Sequence, residues 1–439
     1  MTHTPATAPK TILILGAYGL IGTEVCRTLH ARGHRVIASG RSAASAAQAL
    51  PMLPFRKADL SRMEASGWAV LLDGVEVVVN CAGALQDGPG DDLETLHHHA
   101  VAALGKAAAG RGVRIVQVSA AGVQPDHPTV FFASKARGDA ALLASGADAV
   151  ILRSGLVIGQ SAYGGTMLLR MLAAVPLVQP QALPDTPIQT VSLADLAEAV
   201  AIAATGDLPA GHTFDLVEAQ THSLAEVIAA HRHALGFAQA RATLTLPHGT
   251  LKPTARIADA LAHAGWRSPL RSTAIDVLAD GVTGDPRPWQ GQTGQTLAPL
   301  QDTLTKARLG PEHRLQARAA LLMPPAVATL SLFWLLSGLI GLWQIGPAAE
   351  HLTRIGWPQS LASTSVAFWA VVDVALGLAV LYRPIAARVC LAMIGVSLVY
   401  LSSATLFTPG MWADPLGPLV KVLPAMMLAA VTPALLETR

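Results

Sequence analysis

Charge is distributed along this chain in a way few folds tolerate. Of its 31 Lys and Arg and 29 Asp and Glu residues, only nine fall between Leu322 and Arg439: Glu350, Arg354, Asp373, Arg383, Arg388, Asp414, Lys421, Glu437 and Arg439. The 439 residues are 14% charged overall with a mean hydropathy of +0.43, whereas soluble domains carry roughly 25% charged residues. A water-compatible front is therefore joined to a lipid-compatible rear, in a chain too long for one ordinary domain.

Four apolar segments occupy that rear, roughly 323–344, 361–382, 387–407 and 416–436, each near the length that crosses a bilayer. They predict a four-helix transmembrane bundle with the lipid bilayer as its partner. Basic residues before the first segment, the Arg383–Arg388 turn and Arg439 fall on one side, while the 345–360 loop carries only Arg354 and the 408–415 loop carries neither Lys nor Arg. The positive-inside rule then puts the front and both termini in the cytoplasm, at a bacterial inner (plasma) membrane. Trp343, Trp357 and Trp412 fall at the opposite interface. Asp373 interrupts the second segment; a carboxylate there costs about 2.5–3.5 kcal/mol on insertion scales and marks a membrane polar site. It serves either an interhelical contact or a ligand or proton, and Lys421 is the internal cation available to it.

At the front, Thr11–Leu15 reads as a buried strand running into Gly16-x-x-Gly19-x-x-Gly22, a helix over 23–32 ended by Gly33, and a second strand over 34–39. Such a turn brings backbone amides and a helix N-terminus to a pyrophosphate, so Gly16, Tyr18, Gly19, Leu20, Ile21 and Gly22 are candidate cofactor-binding residues. The second strand ends in Ser39, Gly40 and Arg41 with no carboxylate to take a ribose 2′-hydroxyl. Arg41 either pairs with a 2′-phosphate or is a solvated loop residue; NADP(H) is expected over NAD(H). Asp59 and Leu60 are placed beside the adenine, and Asn80, Ala82 and Gly83 at the end of a further strand, where small residues admit the cofactor.

With the strand Ile115–Ser119, Lys135, the segment Leu152–Gly159 and the segment Ile188–Leu196, these motifs resemble the extended and atypical short-chain dehydrogenases/reductases over roughly the first 290 residues. The resemblance implies an α/β Rossmann-type, doubly wound parallel sheet with a small substrate lobe. It also implies a Ser–Tyr–Lys site in which Ser119 positions a carbonyl and Lys135 holds the ribose. Phe131 stands four residues before Lys135, where the tyrosine is expected. A phenyl ring has no proton to exchange, and general acid–base groups contribute about 10²- to 10⁴-fold. Tyr163, Asp126 and His127 are the remaining proton donors nearby. Intact glycines without the tyrosine resemble the branch containing the accessory NAD(P)H-binding subunit of respiratory complex I. The stretch from Asp414 to Pro424 resembles the last helix of the DoxX-like membrane family, associated with quinone-linked electron transfer.

The expected domains are 9–155 (dinucleotide binding, its sheet completed by later segments), 156–284 (small lobe), 285–320 (linker) and 321–439 (membrane). A net charge of +2 without a basic run gives no nucleic-acid signal, and Cys26, Cys81 and Cys390 suit neither a disulfide framework nor a zinc site. His97, His98 and His99 point about 100° apart on a helix, so they are read as surface or packing residues, with no metal expected. Two functions stay open. One is an NADP-dependent oxidoreductase acting on a quinone- or lipid-like substrate; the other is a non-catalytic NAD(P)H-binding subunit of a membrane complex or homo-oligomer.

Overall fold

The computed structural model describes residues 8–87, 92–266, 268, 270–415 and 417–437. The chain divides into two compact units, residues 1–256 with 269–313, and residues 257–268 with 314–439.

In the first unit a parallel sheet forms from β1 (Thr11–Leu15), β2 (Arg35–Gly40), β3 (Phe55–Lys57), β4 (Val77–Asn80), β5 (Arg114–Ala120) and β6 (Asp148–Ser154), with Thr213–Leu216 beside β6. The seven strands run in the order Thr213–Leu216, β6, β5, β4, β1, β2, β3. Their apolar runs are continuous because both faces are covered. Along β1, Ile12 and Ile14 enter one layer with Val25, Leu29, Leu196 and Val200, while Leu13 and Leu15 enter the other with Trp68, Val101, Leu104 and Leu142. The chain leaves β1 toward β2 on one side and returns to β4 on the other. Between those two strand ends lies the switch-point crevice that binds ligands in such sheets.

Element ends fall close to the sequence reading. The first helix spans Leu20–Ala31, three residues ahead of the expected start. Leu224–Ala234 is opened by a capping box between Ser223 and Glu226. The segment read as a linker departs more. Arg287–Thr293 and Leu300–Lys306 are helices of the first unit, and Trp289, 1% exposed, joins its core against Phe214. A large aromatic and two helical turns give that stretch enough apolar surface to dock, despite its Pro, Gly and Gln content.

The second unit contains three helices long and apolar enough to cross a membrane, Pro311–Trp343, Gln359–Ala379 and Ala386–Phe407, and a shorter apolar one, Val422–Leu436. The apolar run puts the start of this fourth helix near 416. Gly417, at φ +56°, takes a left-handed conformation through which a right-handed helix does not run, so the helix begins only after it. Small residues bring the helices together: a Cβ on Gly338 would stand 2.5 Å from the Ala370 carbonyl oxygen, and one on Gly377 2.8 Å from the Leu335 nitrogen. The Ser331 hydroxyl donates to the Gly377 carbonyl at 2.8 Å. Residues 257–268, expected in the small lobe, belong to this unit. Trp266 packs with Met323, Val327 and Leu436, and its indole N–H donates to the Leu381 carbonyl at 2.5 Å. Arg439, one of the basic residues that orient the chain, lies outside the described residues.

Candidate functional site

The glycine turn sits at the switch point. Gly16 has φ +72°, and a Cβ there would meet the Ala82 backbone at 2.8 Å, so only glycine lets the end of β1 pass the end of β4. A Cβ on Gly22 would collide with the Gly16 carbonyl oxygen and lie 2.9 Å from Ala17 Cα, which makes this glycine the condition for seating the first helix on the strand. Gly19, extended at φ −75° and ψ 172°, precedes that helix and is exposed, so its surface is open to a ligand. Leu20 opens the helix, and Ile21 packs against the core beneath it.

Tyr18 has a local role that the motif did not foretell. Its hydroxyl accepts from the backbone N–H groups of Arg41 at 2.9 Å and Ser42 at 3.0 Å, and its ring lies so close to Gly40 that a Cβ there would stand 2.5 Å away. Tyr18 thus ties the glycine turn to the end of β2, where Arg41 is exposed and Ser39 is fully buried. Asp59 caps the turn Leu60–Arg62 and lines a cavity of about 430 Å³ with Lys57, Met63 and Glu64. Asn80 is buried; its amide donates to Gln117 at 2.9 Å and its carbonyl accepts from Ala82 N–H at 3.1 Å, fixing the bend that leads to Gly83.

Beyond that bend the structure gathers Gly83, His97, Phe131 and Lys135. A Cβ on Gly83 would lie 3.4 Å from His97 Nε2 and 3.7 Å from Lys135 Nζ, and the Lys135 ammonium stands 5.8 Å from the centre of the Phe131 ring. Burial holds Lys135 below the ordinary lysine range, against the pull of Asp139 and Cys81. His97 Nε2 accepts from Ala84 N–H at 3.2 Å, so its other nitrogen carries the proton toward Ser134 Oγ at 3.1 Å. Burial, reinforced by the charge of Lys135, drives His97 down to about 2, and it stays neutral. His97 enters the site because Thr95–His99 forms a π-turn, a feature frequent at functional sites. Its neighbours stay outside: His98 and His99 stack 4.8 Å apart, and His98 bonds Glu94 at 2.7 Å.

Ser119 takes a different place. Its hydroxyl donates to buried Asp139 at 2.8 Å, and Asp139 also pairs with Arg153 at 3.2 Å. Burial raises the Asp139 carboxyl, opposed by Ser119, Arg153 and Lys135. The spacing of Lys135 and Asp139, four apart on one helix, was the available signal for this network. The alternative proton donors stand apart from it: Tyr163 is 68% exposed, Asp126 is exposed, and His127 is held by Thr129 N–H at 3.1 Å and Asp280 at 3.5 Å. A cavity of about 360 Å³, lined by Asp87, Leu93, Val130, Asp276 and Asp280, opens at the start of the helix that carries Phe131 and Lys135.

Comparison with known proteins accords with this geometry. Residues 12–179 match the NAD dependent epimerase/dehydratase family, and residues 331–430 match the DoxX-like family. The chain joins an extended short-chain dehydrogenase/reductase domain to a DoxX-like domain. The fold is similar to that of the Bordetella bronchiseptica enzyme WbmG in complex with NAD, at 21% identity and TM-score 0.52, covering 70% of this chain and 94% of that one. It is similar also to that of the Thermus thermophilus UDP-glucose 4-epimerase complex with NAD, at 19% identity and TM-score 0.51, covering 70% and 99%. No curated protein matches the chain.

Proposed function

We propose that this protein is a membrane-anchored NAD(P)H-dependent oxidoreductase whose electron acceptor is lipophilic, a quinone- or lipid-like molecule. The observation that carries the reading is the glycine turn at the switch point, with Lys135 aimed at Gly83, on a chain that also holds three apolar helices of membrane-spanning length. The residues fit a nicotinamide dinucleotide: Gly16 and Gly22 admit no side chain, and the Lys135 ammonium stands beside Gly83. In this reading Gly16, Gly19 and Gly22 cradle the pyrophosphate, Asp59 and Leu60 flank the adenine, and Lys135 holds the nicotinamide ribose. Arg41 favours NADP(H), since no carboxylate stands at the end of β2 to repel a 2′-phosphate. A bound reduced dinucleotide would supply hydride. A quinone needs less help from a tyrosine acid than a simple carbonyl, because water can supply its proton. The front unit and both termini are assigned to the cytoplasm of a bacterial plasma membrane by the basic residues flanking the spans.

A second reading, a non-catalytic NAD(P)H-binding subunit, is favoured by Phe131 and by the commitment of the Ser119 proton to Asp139. Detergent-purified full chain, mixed with NADPH or NADH and a short-chain quinone, separates the two. Turnover that Gly19→Asp abolishes supports the oxidoreductase. Tight binding without turnover supports the subunit, and failure to bind either dinucleotide refutes both.

A further inference from the structure

The second unit holds an ionisable group that the dinucleotide site does not use. Asp373, in the Gln359–Ala379 helix, is 5% exposed. Its Oδ1 accepts from the Tyr400 hydroxyl at 2.8 Å and its Oδ2 from the Ser337 hydroxyl at 2.9 Å. Tyr400 belongs to Ala386–Phe407 and Ser337 to Pro311–Trp343, so all three long apolar helices meet at this carboxyl. Among the described residues no Lys or Arg forms an ion pair with it. Lys421, the cation the sequence offered, is exposed beside the start of Val422–Leu436.

Helix clasping does not call for such a group. The same helix pair is already clasped by neutral partners, Ser331 and the Gly377 carbonyl, whereas a carboxylate without a cation is costly in hydrocarbon. The partners of Asp373 are hydroxyls, which donate to a carboxylate and equally accept from a carboxylic acid. The network therefore serves either proton state without rebuilding. It is also shallow from one side. Ser337 is exposed amid Leu336, Leu339 and Ile340, themselves exposed apolar residues, and half-buried Tyr400 rests edge-on against Trp369 at 5.4 Å. One layer of side chains separates the carboxyl from a surface suited to lipid.

We propose that Asp373, Tyr400 and Ser337 form a proton-exchange site open to the lipid phase, serving lipophilic molecules that carry a hydroxyl or carbonyl oxygen. The proposal rests on the membrane reading above and is independent of the dinucleotide. In the exchange the acid O–H bond of Asp373 breaks, the proton passes to the oxygen of the visiting molecule, and the carboxylate keeps its two hydroxyl donors. The reverse transfer restores the acid.

Dicyclohexylcarbodiimide, a lipophilic probe, adds the O–H of a carboxylic acid across its C=N bond, and the acyl group then shifts from oxygen to nitrogen to leave a stable N-acylurea. The full chain in membrane vesicles is treated with it, digested and mapped by mass spectrometry. The Asp373 peptide is expected to gain one carbodiimide, and Asp373→Asn to lose that label. A water-soluble carbodiimide with glycine ethyl ester is expected to tag Glu350 and Asp414 and spare Asp373. An unlabelled Asp373 in wild-type chain that resists carbonate extraction overturns the proposal, as does equal labelling by the water-soluble reagent. Release of the chain by carbonate overturns the membrane reading instead.

Discussion

Two glycines of one motif should fail in opposite ways when given a methyl group. At Gly22 the new Cβ meets the Gly16 carbonyl oxygen and Ala17 Cα, both backbone atoms that cannot swing aside. Overpacking of this kind costs about 3 kcal/mol, the upper end of the usual range, because relief requires the first helix to lift from β1. For a unit of about 300 residues, with an unfolding entropy of about 0.6 kcal/mol/K, that loss lowers the melting temperature by about 5 °C. At Gly19 the backbone is extended and the nearest atom to a new Cβ is 3.3 Å away. The methyl fits, and the smaller unfolded-state entropy offsets the tight approach, so Gly19→Ala should melt within about 2 °C of the parent. Its methyl instead stands between the helix N-terminus and the phosphates, and dinucleotide binding should weaken about tenfold, or 1.4 kcal/mol. Trp68 and Trp289, each 1% exposed in the core of the first unit, report its melting by intrinsic fluorescence, and quenching or enhancement of NADPH emission reports binding. If Gly22→Ala melts with the parent, or Gly19→Ala melts as low as Gly22→Ala, the assignment of these roles is wrong.

Removing the guanidinium with Arg41→Ala should weaken NADPH about tenfold while leaving NADH within about twofold, measured by titration of the purified chain; equal losses for both would end the NADP preference. Acid should destabilise the first unit below pH 6.5. Burial lowers His97 to about 2 and His231 to about 4, so in that range both bind protons only when the chain unfolds. Stability is then complete above pH 6.5 and falls by about 2–3 kcal/mol per unit down to about pH 4, with Asp139, shifted upward, acting in the opposite sense. Denaturant melts across that range check the slope, and His97→Gln should remove the share of one proton; an unchanged slope contradicts a neutral buried His97.

The parts of this protein legible in its sequence are those governed by local or statistical physics. A Gly-x-x-Gly-x-x-Gly turn between a strand and a helix has few uses, because backbone approach to a phosphate leaves no room for side chains. A charge-poor rear with apolar runs of bilayer length has few solvents that suit it. Those two facts were enough to anticipate the parallel Rossmann-type sheet and the unit of long apolar helices behind it. The fourth apolar run reads longer than its helix, since composition does not register the left-handed turn at Gly417.

Whatever depends on which distant side chains meet was decided by tertiary structure alone. His97 differs from His98 and His99 only in where the π-turn against Gly138 aims it. Ser119 looked like a group for a substrate carbonyl until Asp139 accepted its proton, and the connector around Trp289 became core because Phe214 was there to receive it. Asp373 found Tyr400 and Ser337 on two other helices rather than Lys421. Spacing encodes a turn or a span, since each is a property of neighbours in the chain; a hydrogen bond between helices belongs to their packing, which no single segment contains.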